Sequence, residues 1–402
     1  MASKPVLNVA LIGYAFMGRA HSNAYRQVGH FFPDSPYTLR RKVLVGRTAA
    51  AVEKAAAELG WEEAATDADA VIARADIDVV DIGTPNDSHY DLAMKAIKAG
   101  KIVLCEKPLA MTTKEARAMA AAAEKAGVPN LLWHNYRRAP AATTAAQLIA
   151  AGKLGEIRHV RAVYLQDWLI DDACPYTWRM NVKTCGSGAH GDLNAHLVDM
   201  TRFLTGLEIT EVVGQSETFI KTRRTPDGKG KGTVDVDDAF QFLARLSNGG
   251  LASYEATRSA LGRKNYNRIE VNGTKGSLVW NFERMNELEF FDSSEDAKVQ
   301  GFRTIMCMNG GAHAYAGNYW PDGHIIGYEH TFINTLADFL VAVKNKKEFH
   351  PNFSDGVACE EVLDAAIESV KKRKWVAIKH SQPATGHVLK TAAKTKAKNA
   401  GL

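Results

Sequence analysis

The first 135 residues alternate short apolar runs with segments in which apolar residues recur at helical spacing. The apolar runs are rich in Val, Ile and Leu and lie at residues 6–13, 41–46, 78–83, 102–106 and 130–134. The intervening segments are rich in Ala, Glu and Lys and lie at residues 48–59, 87–99 and 113–126. Buried strands separated by crossover helices form a parallel sheet with helices on both faces. The pattern therefore predicts a doubly wound α/β domain over residues 1–135.

After about residue 150 apolar and polar positions alternate, which is typical of strands with one buried face. The alternating segments lie at 156–168, 209–222, 239–248, 250–259 and 268–280, with turn signals at 247–250 (SNGG) and 272–273 (NG). Helical spacing returns at 189–204, 329–344 and 355–371. We predict an α+β domain over residues 136–378 with a large, mostly antiparallel open sheet. Residues 222–233 are expected to form a solvated basic hairpin loop, and residues 379–402 a tail.

The composition is that of a globular protein with two or three domains: 402 residues, 46% hydrophobic and 24% charged. No apolar run approaches the ~20 residues of a membrane-spanning helix. The chain also enters the strand pattern directly, so we expect neither a membrane partner nor a signal peptide. The formal charge of +5 comes from residues 379–402, which hold five lysines and no acid, while residues 1–378 balance at 45 basic and 45 acidic side chains. A nucleic-acid partner is therefore not expected.

The five cysteines are odd in number and widely spaced, and no C-x-x-C pair occurs. This pattern indicates neither a disulfide framework nor a zinc ribbon. We expect reduced thiols in a cytoplasmic protein.

Residues 13–18 (GYAFMG) follow the first predicted strand and open a helix. A dinucleotide site needs a tight turn, close backbone approach to the pyrophosphate and a helix N-terminus directed at it, and the pattern G-x-G-x-x-G supplies these features. Ala15 replaces the middle glycine and adds a methyl group where the approach is closest. The strand–turn–helix context still predicts that this segment binds NAD or NADP.

Gly46 and Arg47 lie at the end of the second strand, where Rossmann domains that bind NAD usually carry Asp or Glu for the ribose hydroxyls. The missing carboxylate removes repulsion toward a 2′-phosphate, and the guanidinium group could pair with one. This slightly favours NADP. The alternative is that Arg47 stacks on the adenine and the protein uses NAD.

Two segments lie at the carboxyl ends of the fourth and fifth strands, residues 83–89 (GTPNDSH) and 105–109 (CEKPL). Ligands of open α/β sheets bind in the crevice beyond these strand ends. Lys107 is expected to project its ammonium group into this crevice. The proline that follows it fixes the backbone, with a cis peptide bond as one option.

These motifs are joined by residues 188–196 (GAHGDLNAH), 236–243 (VDDAFQFL) and 271–278 (VNGTKGSL). As a set in this order they resemble the glucose–fructose oxidoreductase, inositol dehydrogenase and rhizopine-catabolism (Gfo/Idh/MocA) family over nearly the whole chain. Residues 31–36 are similar to a subgroup of sugar and glycoside dehydrogenases that includes levoglucosan dehydrogenase-like members. In that subgroup this loop is expected to cover the site.

The resemblance implies that Lys107, Asp192 and His196 form the catalytic group. A spacing of four places Asp192 and His196 on one face of a helix. We assign His196 as the base for the hydroxyl proton and Lys107 as the stabiliser of the developing alkoxide. Asp192 is assigned as the orienter of His196 or as an acceptor for a substrate hydroxyl. A zinc site at His190, Asp192, His196 and Asp199 was weighed, but neither an H-E-x-x-H pattern nor a cysteine pair supports it, so no metal is expected.

Further residues are assigned from the same motifs. The predicted cofactor-binding residues are Gly13, Ala15, Phe16, Met17, Gly18, Arg47, Thr84, Pro85, Asn86, His89, Glu106, Lys107, Asn135, Trp178 and Arg179. The predicted substrate-binding residues are Lys107, Tyr136, Arg137, Trp168, Asp192, His196 and His324. For His324 a role as a surface loop histidine is an equal alternative.

The predicted function is NAD(P)-dependent hydride transfer from a ring hydroxyl of a sugar, cyclitol, anhydrosugar or glycoside to nicotinamide C4, with C3 as the candidate carbon. One alternative is a redox-neutral glycosidase or lyase that retains its NAD. A ligand-sensing regulator is a third class, against which the complete set of catalytic residues argues. The resemblance also implies a homodimer or homotetramer formed through the second-domain sheet.

Overall fold

The computed structural model describes residues 4–381 of the chain, so most of the predicted tail lies outside the described residues. The first half alternates strands and helices: β1 (Val6–Ile12), α1 (Phe16–Phe31), β2 (Thr38–Val45), α2 (Ala49–Leu59), β3 (Glu63–Ala65), α3 (Ala68–Ala73), β4 (Val79–Ile82), α4 (His89–Lys98), β5 (Ile102–Cys105), α5 (Thr113–Ala126) and β6 (Asn130–Leu132). The six strands form one sheet in the order β3-β2-β1-β4-β5-β6, and each described pair is parallel.

This sheet has the topology that places a ligand crevice at its carboxyl edge. The chain leaves β1 toward β2 on one side and returns to β4 on the other, and a crevice opens where the strand order reverses. The strands are apolar on both faces because helices cover both; Val9, Ala10 and Leu11 of β1 have no exposed surface. The predicted doubly wound α/β domain is confirmed.

The second half carries the remaining elements: α6 (Pro140–Ala150), β7 (Ile157–Leu165), α7 (Val182–Cys185), α8 (Ala195–Thr205), β8 (Ile209–Glu217), β9 (Thr222–Arg224), β10 (Lys231–Thr233), β11 (Ala239–Leu246), β12 (Leu251–Thr257), β13 (Tyr266–Gly273), β14 (Gly276–Asn281), β15 (Glu287–Asp292), β16 (Arg303–Met306), α9 (Tyr328–Lys344), α10 (Phe353–Lys372) and β17 (Val376–Ala377). Among helices within residues 4–381, none is long and apolar enough to cross a membrane.

Nine of these strands form a mixed sheet in the order β16-β15-β14-β13-β7-β12-β11-β8-β17, in which the described pairs are antiparallel except β7 with β12. Strand β11 shows why one face is buried: Phe240, Phe242 and Ala244 are buried, while the residues between them are exposed. The buried face packs against α6, α8 and α10 in one core. The large, mostly antiparallel open sheet is therefore confirmed.

The two halves share hydrophobic cores. Phe332, Ile333 and Leu336 of α9 pack with Val9 and Leu11 of β1 in the core on one face of the parallel sheet. The first turns of α10 contribute likewise to the core on the other face. The division at residue 135 stays a prediction, and the structure adds that helices from the second half complete the layers of the first.

Residues 222–233 form the predicted hairpin, in which β9 pairs with β10 and most residues are exposed, and the exception is a buried arginine. Arg223 is 1% exposed, and its guanidinium group donates hydrogen bonds to the carbonyl oxygens of Leu169, Asp171 and Cys174. The hairpin is thereby attached to the segment that precedes α7. A buried arginine with three carbonyl partners explains why this basic segment is ordered.

Candidate active site

A cavity of about 540 Å³ opens at the carboxyl edge of the parallel sheet, between this sheet and the second half of the chain. It is lined by the turn after β1, the loops after β4, β5 and β6, and residues around β7, α8, β12 and β13. The predicted residues on its wall are Ala15, Phe16, Met17, Thr84, Pro85, Asn86, Glu106, Lys107, Asn135, Tyr136, Trp168, Trp178, Arg179, Asp192 and His196.

The turn at residues 13–18 has the geometry that a dinucleotide site requires. Gly13 has φ +105°, and a Cβ atom there would lie 2.5 Å from the carbonyl oxygen of Gly83. A Cβ atom on Gly18 would collide with the carbonyl oxygen of Gly13. Ala15 has φ −71°, which any residue adopts, so the middle position tolerates the methyl group. The close turn and the N-terminus of α1 fit a pyrophosphate.

The loop after β4 connects the two halves of the molecule. Thr84, Pro85 and Asn86 line the cavity, and Asn86 Nδ2 donates to the carbonyl oxygen of Cys185 at 3.0 Å. His89 lies outside the cavity wall, so the geometry gives its assignment as a cofactor contact no support. It is buried, with its ring nitrogens 2.9 Å from Pro108 O and 3.0 Å from Thr84 O, so it holds the two crevice loops together.

A buried polar group, which we name the cofactor-side network, lies beneath Lys107 and consists of His21, Asp81, Glu106, Tyr25 and Trp133. His21 Nδ1 is 2.9 Å from Asp81 Oδ2, and His21 Nε2 is 3.0 Å from Glu106 Oε1. Asp81 also accepts hydrogen bonds from the Tyr25 hydroxyl (2.6 Å) and the Trp133 indole (3.0 Å). Burial alone would lower the pKa of His21, but the two carboxylates outweigh it and raise the pKa to about 9. His21 is therefore an imidazolium at neutral pH.

Lys107 is fixed against Asp192. A cis peptide bond joins Lys107 to Pro108, and the Lys107 backbone N–H donates to Glu106 Oε2 at 3.0 Å. Its ammonium group donates to both Asp192 Oδ1 and the Asp192 carbonyl oxygen, each at 2.8 Å. The second oxygen of Asp192 accepts a 2.8 Å hydrogen bond from Arg258 Nη2. Lys107, Asp192, His196 and Arg258 form what we call the substrate-side cluster.

Asp192 is 21% exposed and stands among three cations. Burial would raise the pKa of its carboxyl group, but Lys107, Arg258 and Arg179 hold it well below the usual value. Asp192 is therefore ionised at neutral pH. Its negative charge offsets part of the positive charge of the cluster.

His196 lies on the helix that carries Asp192, but the two side chains share no hydrogen bond within the described residues. A π-helical turn (His190–Asn194) leads into α8 at this point, a departure from regular winding that is frequent at functional sites. The His196 ring stacks on Tyr136 at 4.4 Å between centroids. Asp192 thus contacts Lys107 and not His196, and both of its predicted roles stay predictions.

The His196 ring nitrogens have no hydrogen-bond partner among residues 4–381, and the ring is part of the cavity wall. Burial lowers its pKa well below 6.5, and Lys107 and His134 lower it further, while Asp192 acts in the opposite direction. His196 is therefore neutral at pH 7 and able to accept a proton.

Arg137 and His324 lie outside the cavity wall, so the geometry gives their substrate assignments no support. Arg137 is 2% exposed, and its guanidinium group pairs with Asp199 and with Asp355. The two buried carboxylates pair with the guanidinium charge of Arg137, and this pairing offsets the cost of burying that charge. His324 is exposed, and its Nδ1 lies 2.9 Å from Pro321 O in a surface loop.

Two peripheral predictions also lie outside the cavity wall. The loop at residues 31–36 does not cover the site: Phe31 packs on Tyr319 and Trp320, with ring centroids 4.6 and 5.6 Å away. Arg47 is exposed at the end of β2, beyond the cavity. That position suits the adenosine end of a dinucleotide, which extends from the turn after β1.

The four residues weighed as zinc ligands do not share one face. His190 is buried, with its ring nitrogens 3.0 Å from Leu363 O and from Asn194 Nδ2, and Asp199 pairs with Arg137. Side chains of His134, Asp199 and Cys359 do approach within 4.8 Å of one another. The guanidinium group of Arg137 already occupies the Asp199 carboxylate there, and its positive charge disfavours a second cation.

Several residues on the cavity wall were missed by sequence reasoning, namely Tyr164, Gln166, Arg258, Asn265, Phe282 and Tyr328. They come from β7, from the ends of β12 and β14, from the segment before β13 and from the start of α9. One signal was available in principle: Arg258 and Asn265 stand at the ends of alternating strand segments, where polar residues project toward a site. No short motif marks them, however.

The turn after β1, the crevice and the Lys107–Asp192–His196 set define a class: a two-part oxidoreductase that uses a nicotinamide dinucleotide. The family whose sequence model is described as an oxidoreductase family with an NAD-binding Rossmann fold matches residues 7–134. The model described as the GFO/IDH/MocA C-terminal domain matches residues 142–279. The chain belongs to the Gfo/Idh/MocA oxidoreductase family.

Individual relatives agree with this membership. The levoglucosan dehydrogenase of Pseudarthrobacter phenanthrenivorans is 40% identical over 383 residues, which are 92% of this chain and 97% of the relative. The crystal structure of an oxidoreductase domain protein from Kribbella flavida has 48% identity and a TM-score of 0.91, and the match covers 93% of this chain and 100% of that one. A levoglucosan dehydrogenase complex with NADH and levoglucosan has 40% identity and a TM-score of 0.90, with the same coverage.

These findings confirm the predicted family, fold class and enzyme class. The chain is an NAD(P)-dependent oxidoreductase of the sugar and cyclitol dehydrogenase type.

Proposed function

We propose that this enzyme oxidises the C3 hydroxyl of a sugar with a closed ring, of the anhydrosugar type, with NAD as the hydride acceptor. The observation that carries the proposal is the joining of a dinucleotide turn and the Lys107–Asp192–His196 set on the wall of one cavity. The relative whose complex contains NADH and levoglucosan, a 1,6-anhydrosugar, supports this substrate class.

In the proposed mechanism the neutral His196 ring accepts the proton of the substrate hydroxyl. The Lys107 ammonium group donates a hydrogen bond to the oxygen on which negative charge develops. Asp192 holds that ammonium group in place through two hydrogen bonds, and Arg258 holds Asp192. A bound nicotinamide supplies the hydride acceptor. The aromatic rings of Trp168 and Trp178 on the wall suit the C–H faces of a sugar and exclude water.

The choice of NAD rests on the relative's complex with NADH. The slight NADP preference suggested by Gly46 and Arg47 is the alternative, and the same kinetics test it. Arg47 is exposed. It could contact a 2′-phosphate only where the adenosine end of the dinucleotide lies. We expect a higher kcat/KM with NAD than with NADP. Arg47→Ala should lower kcat/KM with NADP and leave that with NAD within twofold.

The experiment is a screen of levoglucosan, monosaccharides, inositols and glycosides with NAD and NADP, followed by absorbance of the reduced nicotinamide. The proposal predicts stoichiometric reduced cofactor and a keto sugar with an anhydrosugar substrate. Glycosidic cleavage without net reduction would contradict it, as would activity confined to inositols.

We also propose that the outer face of the nine-stranded sheet joins subunits into a homodimer or homotetramer. Leu243 and Leu251 are 55% and 51% exposed on neighbouring strands of that face. Exposed apolar side chains that adjoin one another are typical of interfaces. Sedimentation of a single monomeric species would contradict the proposal. The cytoplasmic location is likewise a proposal, supported by five unpaired cysteines.

A further inference from the structure

A continuous row of hydrogen bonds runs along one wall of the cavity, through residues that the catalytic set does not include. The Tyr136 and Tyr164 hydroxyls are 2.9 Å apart, and the Tyr164 hydroxyl lies 2.7 Å from Asn265 Oδ1. Gln166 Nε2 lies 2.8 Å from the same oxygen, and Trp168 Nε1 lies 2.9 Å from Gln166 Oε1. All five residues line the cavity.

The direction of this row is fixed by the indole of Trp168. An indole N–H only donates, so Gln166 must turn its carbonyl oxygen toward Trp168 and its amide nitrogen toward Asn265. Asn265 must then present its oxygen to Gln166. That oxygen also accepts from the Tyr164 hydroxyl, which leaves the Tyr136 hydroxyl as donor to Tyr164.

One consequence is an unused donor. Asn265 Oδ1 accepts two hydrogen bonds, and Asn265 Nδ2 donates toward the Tyr136 hydroxyl, which leaves one of its two N–H groups without a partner among residues 4–381. The backbone at this position is held as well, because the Glu283 carboxylate accepts hydrogen bonds from the N–H groups of Lys264 and Asn265. The amide is therefore pre-oriented, since its oxygen is occupied and one of its two N–H groups is available.

The donor stands close to the proposed base. The Tyr164 ring centroid is 5.8 Å from that of His196, and the Tyr136 ring stacks on His196 at 4.4 Å. Asn265 is one hydrogen bond from Tyr164. A sugar ring that places one hydroxyl against His196 is therefore large enough to bring another of its oxygens within hydrogen-bonding distance of Asn265.

We propose that Asn265 is a substrate-binding residue whose Nδ2 donates a hydrogen bond to a second oxygen of the sugar, and so contributes to substrate choice. Tyr164 and Gln166 orient this amide and are positioning residues. The inference rests on the proposed function, because it assumes a sugar in this cavity. It deepens that function by naming a contact on the cavity wall beyond the Lys107–Asp192–His196 set.

Asn265→Asp tests the donor, because the variant keeps an oxygen that accepts from Tyr164 and Gln166 and replaces the N–H groups by a second, charged oxygen. Asn265→Ala removes the donor without adding charge. With levoglucosan and NAD we expect both variants to lose roughly tenfold or more in kcat/KM, mainly through a higher KM, as expected for one hydrogen bond in a closed site. The dissociation constant of NADH, measured by fluorescence titration, should stay within twofold. Asn272→Asp is the matched control on β13, outside the cavity wall, and should leave kcat/KM within twofold.

The outcomes separate the two proposals. If the wild-type enzyme turns over the sugar and both Asn265 variants, folded by thermal melting, keep kcat/KM within twofold, the role of Asn265 is overturned and the proposed function stands. An equal weakening of NADH binding would also overturn it, because the amide would then face the cofactor. If the wild-type enzyme oxidises no sugar with NAD or NADP, both proposals fail.

Discussion

Two polar groups meet at Lys107, and they differ in how completely their hydrogen bonds are satisfied. In the cofactor-side network both nitrogens of His21 contact carboxylates, and Asp81, which has no exposed surface, receives three hydrogen bonds. In the substrate-side cluster Asp192 is 21% exposed, and His196 has no hydrogen-bond partner among the described residues. Both groups contain charges of each sign, but only the cofactor-side network is closed, in the sense that both nitrogens of its histidine have a partner.

Because of this difference in hydrogen bonding, the two groups have different roles. A closed buried network rigidifies the structure, and here it holds Glu106 and, through it, the backbone of Lys107. An open cluster keeps a base and a cation available for a reacting hydroxyl. The comparison teaches that catalytic capacity lies where a polar group is left without a partner, and that the neighbouring closed network fixes its position.

The largest effect is expected from Lys107→Met, which removes the cation of the open cluster. We expect kcat/KM for levoglucosan to fall roughly 10²- to 10⁴-fold, because stabilisation of the alkoxide is lost. Lys95→Met, on the exposed face of α4, is the control and should be neutral. Undiminished turnover by Lys107→Met would remove Lys107 from the mechanism.

Arg258→Met should have the next largest effect, since it leaves one oxygen of Asp192 without its donor. A loss of roughly 10- to 100-fold in kcat/KM is expected, with partial recovery in Arg258→Lys. The control is Arg263→Met, which removes a guanidinium group stacked on Tyr266 on the exposed side. Steady-state kinetics of wild type, Arg258→Met, Arg258→Lys and Arg263→Met measures these changes in kcat/KM. If kcat/KM of Arg258→Met stays within twofold of wild type, Asp192 does not need Arg258 as a second cation.

His21→Gln tests the closed network through stability. The pKa of His21 is about 9 in the folded protein, above the usual 6.5, so its contribution is fully present below pH 6.5 and is lost as pH rises through 9. The free energy of unfolding of wild type should therefore exceed that of the variant at pH 6.5, and the gap should narrow by about 3 kcal/mol above pH 9. Urea denaturation across this range measures it. A gap that stays constant with pH would mean that His21 is not charged in the folded protein.

The smallest effect is a shift in pH dependence. Because the pKa of His196 is held well below 6.5, kcat/KM should remain flat as pH falls to 6.5 and decline only at lower pH. Lys107 contributes to that low pKa, so the residual activity of Lys107→Met should decline at a higher pH than that of wild type. Identical acid limbs in the two proteins would contradict the coupling of Lys107 to His196.

The sequence predicted helices best where apolar residues recur clearly at helical spacing. The helices expected at 329–344 and 355–371 are Tyr328–Lys344 and Phe353–Lys372. The short helix α3 and the segment Pro140–Ala150 were not predicted, because six residues give too little periodicity and an alanine-rich stretch has little contrast between faces.

For the site, the position of Lys107 at a strand end predicted that it faces the crevice, and the family resemblance added Asp192 and His196. All three lie on the wall of one cavity. The buried ion pairs of Arg137 were not foreseen, because its partners Asp199 and Asp355 are 62 and 218 residues away and no local pattern reveals such a pair. Arg258 and Asn265 were missed for the same reason: their neighbours on the wall come from distant strands.

The central claim, direct hydride transfer from the carbon whose hydroxyl faces His196, is tested most directly by isotope transfer. Levoglucosan carrying deuterium at C3 is oxidised with NAD by the wild-type enzyme, and the reduced cofactor is analysed by mass spectrometry and NMR. The account predicts one deuterium per molecule of reduced cofactor, at nicotinamide C4. Reduced cofactor without deuterium, or deuterium found in water, would contradict it.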